Sequence, residues 1–277
     1  MISRSRDFGA FSSFRFLSPG EQFIGVADTG FWFFGRVVRD EEGRPTAVGD
    51  FKMSAIVDPD GKTGEKWTTD AESIAVRDGL VVAGFEREHR ISEFRLDQEH
   101  MGSAIADLDF LVPRQELRIN RGFETVTFAP ADSALDGALV AVAERSIDKK
   151  GNVFAAILDG PEKGIFTVAR RDEFDITDGA FLPDGDLLLL ERRFSIPAGV
   201  AMRLRRIEAE TIRPGLMADG PVLLEADMSY QIDNMEALDV WQRADGATMI
   251  SLMSDDNRSF LQRNLYLEFR LVEEQKP

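Results

Sequence analysis

The sequence contains no cysteine among its 277 residues. That excludes a disulfide scaffold, a cysteine-ligated zinc site and a cysteine nucleophile together. A chain of this length buries roughly 75% of its unfolded surface and folds without such staples. Histidine is nearly absent too. His89 and His100 are the only two, both flanked by charged residues, and both read as surface loop residues rather than ligands. No run of about 18 apolar residues occurs, so no membrane span is expected. The N-terminal stretch MISRSRDFGAFSS has basic residues with no apolar segment behind them, so it does not read as a signal peptide. It starts abruptly in what reads as ordered sequence, as though a segment had been removed upstream.

Positive charge is short as well: 33 Lys and Arg stand against 49 Asp and Glu, for a net charge of −16. Uniform acidity repels phosphate backbones, which disfavours nucleic acid as a partner. The G-x-S-x-G elbow, the Walker loop and G-x-G-x-x-G are all missing, so three common catalytic and nucleotide-binding frameworks have no support.

What the chain does have is Asp-Gly, eight times, from Asp60-Gly61 to Asp245-Gly246 and including Asp178-Gly179. The pair suits tight hairpins, because Gly accepts positive φ and Asp tolerates the left-handed region. Between these turns lie short apolar runs such as LVVAGFE, ALVAVAE, DLLLLE and TMISLMS, each too short for a typical helix. Only VAMRLRRIEAETI could pass for one. The fold class is therefore all-β.

A repeat refines it. A strand opening on a carboxylate, a turn and a strand closing on a carboxylate recur as Glu72 with Glu86, Glu124 with Glu144, Asp178 with Glu191, and Glu236 with Asp255. A worn first copy keeps Asp28 but has Ser12 and Ser13 at its opening position. The closing acids at 28, 86, 144, 191 and 255 are spaced by 58, 58, 47 and 64 residues, room for four short strands each. Apolar runs such as Leu187 to Leu190 fit blade strands packed on both faces. The reading is a single domain over residues 1–277, a β-propeller of five repeat units, with six blades as the alternative and with the terminal segments meeting in one blade.

In a blade the first strand leaves one face and the second returns to it, about 4.8 Å away. The opening and closing acids should then form a ring at one channel mouth: Asp28, Glu72, Glu86, Glu124, Glu144, Asp178, Glu191, Glu236, Asp255 and Asp256. Such crowding calls for a cation or for raised pKa values, and calcium takes six to eight oxygens of this kind. A structural ring is the alternative, since Glu86-Arg87, Glu144-Arg145 and Glu191-Arg192 could brace neighbouring blades. Trp32, between Phe31 and Phe33, reads as blade packing before ligand wall. The opposite face, made of short Asp-Gly hairpins, is expected to offer few side chains that converge on a ligand.

The series ADTG, DAES, GFERE, NRGFET, AVAERS, ITDGAFLPDGDLLLLERRF, IDNMEAL and SDDN resembles, in order and over nearly the whole chain, the esterase-like-activity-of-phytase family. FSS stands in the first unit where the family pattern resembles LSG. The resemblance implies a propeller related to calcium-dependent propeller phytases, often exported to the periplasm. Three functions follow as expectations. The first is a phosphate-ester hydrolase in which Glu72, Glu124 and Glu236 carry the chemistry, with Asp255 as a further calcium ligand, while Arg87, Arg145 and Arg192 grip phosphate. The second is a non-catalytic propeller binding a small ligand or a protein. The third is a single-metal lactonase-like esterase acting on a neutral substrate.

Overall fold

The computed structural model describes residues 1, 8–58, 60–118, 122–197, 199–259 and 261–272. They form five sheets, antiparallel but for one short parallel addition, arranged as the blades of a β-propeller. Blade 1 holds β1 (Phe11–Phe16), β2 (Gln22–Ala27), β3 (Phe31–Arg39) and β4 (Pro45–Ala55). A one-turn helix, α1 (Lys66–Thr69), leads into blade 2, made of β5 (Ala71–Arg77), β6 (Leu80–Phe85), β7 (Arg90–Arg95) and β8 (Ala106–Leu108). Blade 3 holds β9 (Phe123–Phe128), β10 (Leu139–Ile147), β11 (Val153–Ile157) and β12 (Gly164–Val168). Blade 4 starts with β13 (Asp175–Phe181), β14 (Leu187–Ser195) and β15 (Gly199–Ile207). The connection after β15 lends a short β16 (Met217–Ala218), parallel to β12, before β17 (Val222–Asp227) completes blade 4. Blade 5 comprises β18 (Asn234–Gln242), β19 (Thr248–Asp255) and β20 (Tyr266–Arg270).

Five apolar clusters lie between the blades, one at each interface. Ile24 and Trp32 meet Ile74 and Phe85 between blades 1 and 2. Val82 and Ile91 meet Val126 and Ala141 between blades 2 and 3, and Val140 and Val142 meet Leu187 and Leu189 between 3 and 4. Leu188 and Leu190 face Leu238 and Leu252 between 4 and 5, and Met253 packs on Phe11, Phe14, Phe23 and Phe33 to close the ring. The unbroken apolar run of β14 is thus explained, since alternate leucines serve opposite neighbours. Trp32 is fully buried against Phe94, as packing requires.

Two sequence expectations need correction, and the one helix-like stretch resolves in favour of the all-β reading. The VAMRLRRIEAETI stretch is strand through Ile207, followed by one 3-10 turn at Ala209–Thr211. Asp178-Gly179 is no hairpin but lies inside β13, whereas Asp78 and Gly79 both take positive φ in their turn. Among the described residues the two chain ends do not share a blade, for β1 pairs within blade 1 and β20 within blade 5. They are tied by other means: the Met1 amino group donates to the Asn264 carbonyl, and Arg39 pairs with Glu268 at 2.7 Å. No helix among the described residues is long and apolar enough to cross a membrane.

Candidate functional site

The first strand of every blade carries a β-bulge one or two residues from its start. The pairing steps from Phe11↔Ala27 to Ser13↔Val26, from Ala71↔Phe85 to Ser73↔Gly84, and from Phe123↔Ala143 to Thr125↔Val142. Blades 4 and 5 repeat it, from Ile176↔Glu191 to Asp178↔Leu190 and from Met235↔Ser254 to Ala237↔Met253. The skipped residues are Ser12, Glu72, Glu124, Thr177 and Glu236. A bulge leaves one residue unpaired and re-aims it, here at equivalent places around one mouth. The residue following each closing partner is Asp28, Glu86, Glu144, Arg192 and Asp255.

This register corrects blade 4. Its equivalents of the ring acids are Thr177 and Arg192, each one residue from the pair expected from sequence. A one-residue offset in a strand sends the side chain to the other face. Glu191 accordingly leaves the mouth and is buried between Arg203 and Arg205, both of which donate to it. Asp178 lies deeper on the axis, fully buried and gripped by both terminal nitrogens of Arg15 at 2.9 Å. Ser13, the worn position of the first repeat, donates to the same carboxylate at 3.0 Å. Asp256 is spent on local structure, accepting from the Arg258 and Ala10 amides and from Asn264.

The remaining acids do converge. An oxygen from each of Asp70, Glu72 and Glu86 lies within 4.8 Å of the other two, and Glu86, Glu124 and Glu144 form a second such group. Asp70, directly before β5, is a member that the repeat alignment missed, because it precedes the strand position being compared. Burial raises the Glu72 carboxyl well above the usual range, and the charges of Glu86, Asp70 and Asp28 add to this. Glu124 is raised similarly by burial and by Glu72, Glu144, Glu86 and Glu236. Glu144 and Asp255 are each pushed up to about 7, chiefly by burial. Burial also raises Glu236, against the opposing pull of Arg192, which lies 2.9 Å away. Lys66 pairs with Asp28 at 2.9 Å, and Oδ1 of both Asp28 and Asp70 is buried without a hydrogen-bond partner among the described residues. Unpartnered buried carboxylate oxygens beside crowded, proton-holding acids are a donor set that fits a hard cation.

The arginines do not gather as a trio. Arg87 pairs with Asp70 at 2.5 Å beside blade 2. Arg145 and Arg192 instead line a cavity of about 780 Å³ over blades 4 and 5, together with Arg170 and Arg193. Asp175 holds Arg145 and Arg170 in place, at 3.3 and 2.9 Å. The mouth is thus acidic over blades 2 and 3 and basic where blade 4 substitutes arginine for acid. His89 also departs from expectation: it is buried, and neither ring nitrogen has a hydrogen-bond partner among the described residues. It packs beside Glu86 under Gly122, where a Cβ would come within 3.1 Å of His89 Nδ1. Burial and the Arg114 charge lower its pKa, so it is neutral there.

Among solved structures, an endo-arabinase from Bacteroides thetaiotaomicron is 13% identical with a TM-score of 0.52, covering 94% of this chain and 96% of that one. A PQQ-bound aldose sugar dehydrogenase from Streptomyces coelicolor is 14% identical with a TM-score of 0.49, covering 94% of each chain. At such identities the arabinase likeness speaks for the fold alone. No curated protein sequence matches the chain. The Phytase-like model, described as esterase-like activity of phytase, matches residues 6–258, and the chain belongs to that family.

Proposed function

We propose that the chain is a calcium-dependent phosphate-ester hydrolase acting at the acidic mouth. The observation that carries the proposal is the division of that mouth. Two three-carboxylate groups sharing Glu86 adjoin the Glu144–Arg192 boundary, beyond which opens the arginine-lined cavity. Glu72, Glu86, Glu124 and Glu144, with Asp70, would hold calcium. Bound there, calcium would neutralise substrate phosphate and make a coordinated water more acidic. Arg145, Arg170 and Arg192 supply planar forks that match non-bridging phosphate oxygens and orient the ester toward the acids. Glu236 is fixed by Arg192 and by the Asn234 amide at 2.7 Å, and it stands as the carboxylate to position the attacking water and take its proton. A net charge of −16 repels an anionic substrate, so hydrolysis should depend on the cation.

Hydrolysis of p-nitrophenyl phosphate in calcium, and its loss in chelator, tests this directly. The double variant Glu72→Ala with Glu236→Ala, shown to be folded, should be inactive, while Asp184→Asn on the far face should keep full activity. Turnover that survives chelation or the folded double variant would remove the site from this mouth. Saturable phosphate binding without turnover would assign the mouth to recognition.

A further inference from the structure

The axial channel has a second mouth, on the hairpin face, and it opens into a cavity of about 640 Å³. Its floor follows from the bulge register. Two residues beyond the bulge-following positions, and so on the same strand face, lie Arg15, Ala75, Thr127, Ala180 and Asp239, one per blade. All five line the cavity, so the hairpin face gathers convergent side chains where its short turns led to the expectation of few. Three of them are small, which leaves the space open, and the two charged ones sit on adjacent blades.

The charges on that floor do not cancel. Arg15 is spoken for: besides the two bonds to Asp178, it donates to the carbonyls of Phe14, Val126, Gly179 and Leu238, on blades 1, 3, 4 and 5. It plugs the channel and separates the two mouths. Asp178 neutralises it, so Asp239 is the surplus charge. Asp239 is only 8% exposed and, among the described residues, accepts two bonds, from the Phe16 and Val240 amides at 2.7 and 2.9 Å. Burial raises its carboxyl to about 6, against the pull of Arg15, which still leaves it ionised at neutral pH. The walls around it are aromatic and apolar: Phe16, Phe128, Phe181 and Trp241, with Pro19 and Pro183. Two of these rings already accept a cation. Arg77 stacks over Phe128 at 3.8 Å and Arg39 over Trp241 at 5.1 Å.

We propose that this second mouth binds a small organic cation, a protonated amine carrying an apolar substituent. A neutral apolar ligand would strip water from Asp239 without replacing its charge partner, which is unfavourable. An anion would be repelled by the floor and by the net charge of −16. A divalent metal would find one floor carboxylate and Asp132, too few oxygens for calcium. An ammonium group satisfies Asp239, and its apolar substituent packs against the aromatic and proline walls. The cavity is of the size that small ligands occupy.

Calorimetric titration of the full chain in chelator, which silences the opposite mouth, tests this with phenethylammonium and its neutral counterpart 2-phenylethanol. Saturable binding of the amine alone is expected. Asp239→Asn should weaken it roughly tenfold or more, the scale of one lost charge contact. Thr127→Leu keeps Asp239 and fills the cavity, and it should also abolish binding, so a poorly folded Asp239 variant does not end the test. No saturable uptake of the amine at millimolar concentration would overturn the proposal. Equal binding of the alcohol, or unchanged affinity in either folded variant, would do the same.

Discussion

At the scale of single residues, the ring acids differ in how much they can tolerate one another. Glu144 and Asp255 hold protons up to about pH 7 in the folded chain, whereas free Glu and Asp titrate at about 4.3 and about 3.9. Their folded pKa values are raised, so between about pH 4 and about pH 7 the native state binds protons that the unfolded state has released. Stability from these groups is therefore complete at acid pH and is lost as pH rises through about 7. In chelator the melting temperature should fall across this window. Calcium at fixed ionic strength should flatten the fall, because it replaces the protons and binds only the folded ring. A melting temperature that stays level or rises with pH in chelator would mean the acids are already charged and paired. Which residues bear acids at the mouth was largely legible, for Asp28, Glu72, Glu86, Glu124, Glu144, Glu236 and Asp255 all stand where the repeat places them. Asp178 and Glu191 were not legible, since both lie one residue off a register that only the pairing defines.

At the scale of one element, blade 4 is the exception that shapes the site. Its bulge presents Thr177, whose hydroxyl donates to the Met235 carbonyl at 3.2 Å, and its closing position presents Arg192. Arg192 is held by Glu236 at 2.9 Å and lies 4.0 Å from Glu144, so it caps two raised carboxyls. Substituting Arg192→Glu would place an acid at the closing position of all five blades. The variant should lose on the order of 2 kcal/mol of stability in chelator, because Glu236 loses its partly buried partner and gains a like charge. Its melting temperature should then rise more with calcium than the parent's does. Thermal melts in chelator, calcium and sodium read both effects; a calcium response no larger than the parent's would show that the mouth does not gather its acids around a cation.

At the scale of the molecule, closure rests on packing between the last and first blades. Among the described residues no strand is exchanged between them, and the join is the phenylalanine-rich cluster around Met253 together with the Arg39–Glu268 pair. The β20 strand carries Glu268 and pairs along Met249–Met253, whose side chains form part of both flanking clusters. A chain ending at Arg263 should therefore lose cooperative folding, because blade 5 keeps two strands and both clusters flanking it lose the side chains of β20. Circular dichroism melts of the truncated chain check this; a cooperative transition at the parent temperature would show that the ring closes without β20.

The sequence by itself determined the all-β class, the five repeats and most of the acidic mouth. These depend on local signals: Asp-Gly turns, apolar runs of strand length and a recurring carboxylate at roughly blade spacing. Tertiary structure alone decided what blade 4 contributes and what fills the axis. Pairing settles whether Glu191 or Arg192 follows the bulge, and one step along a strand exchanges the faces of a sheet. Likewise, Arg15 and Asp178 are 163 residues apart and meet only because the ring closes, so the plug between the two mouths has no trace in the local pattern.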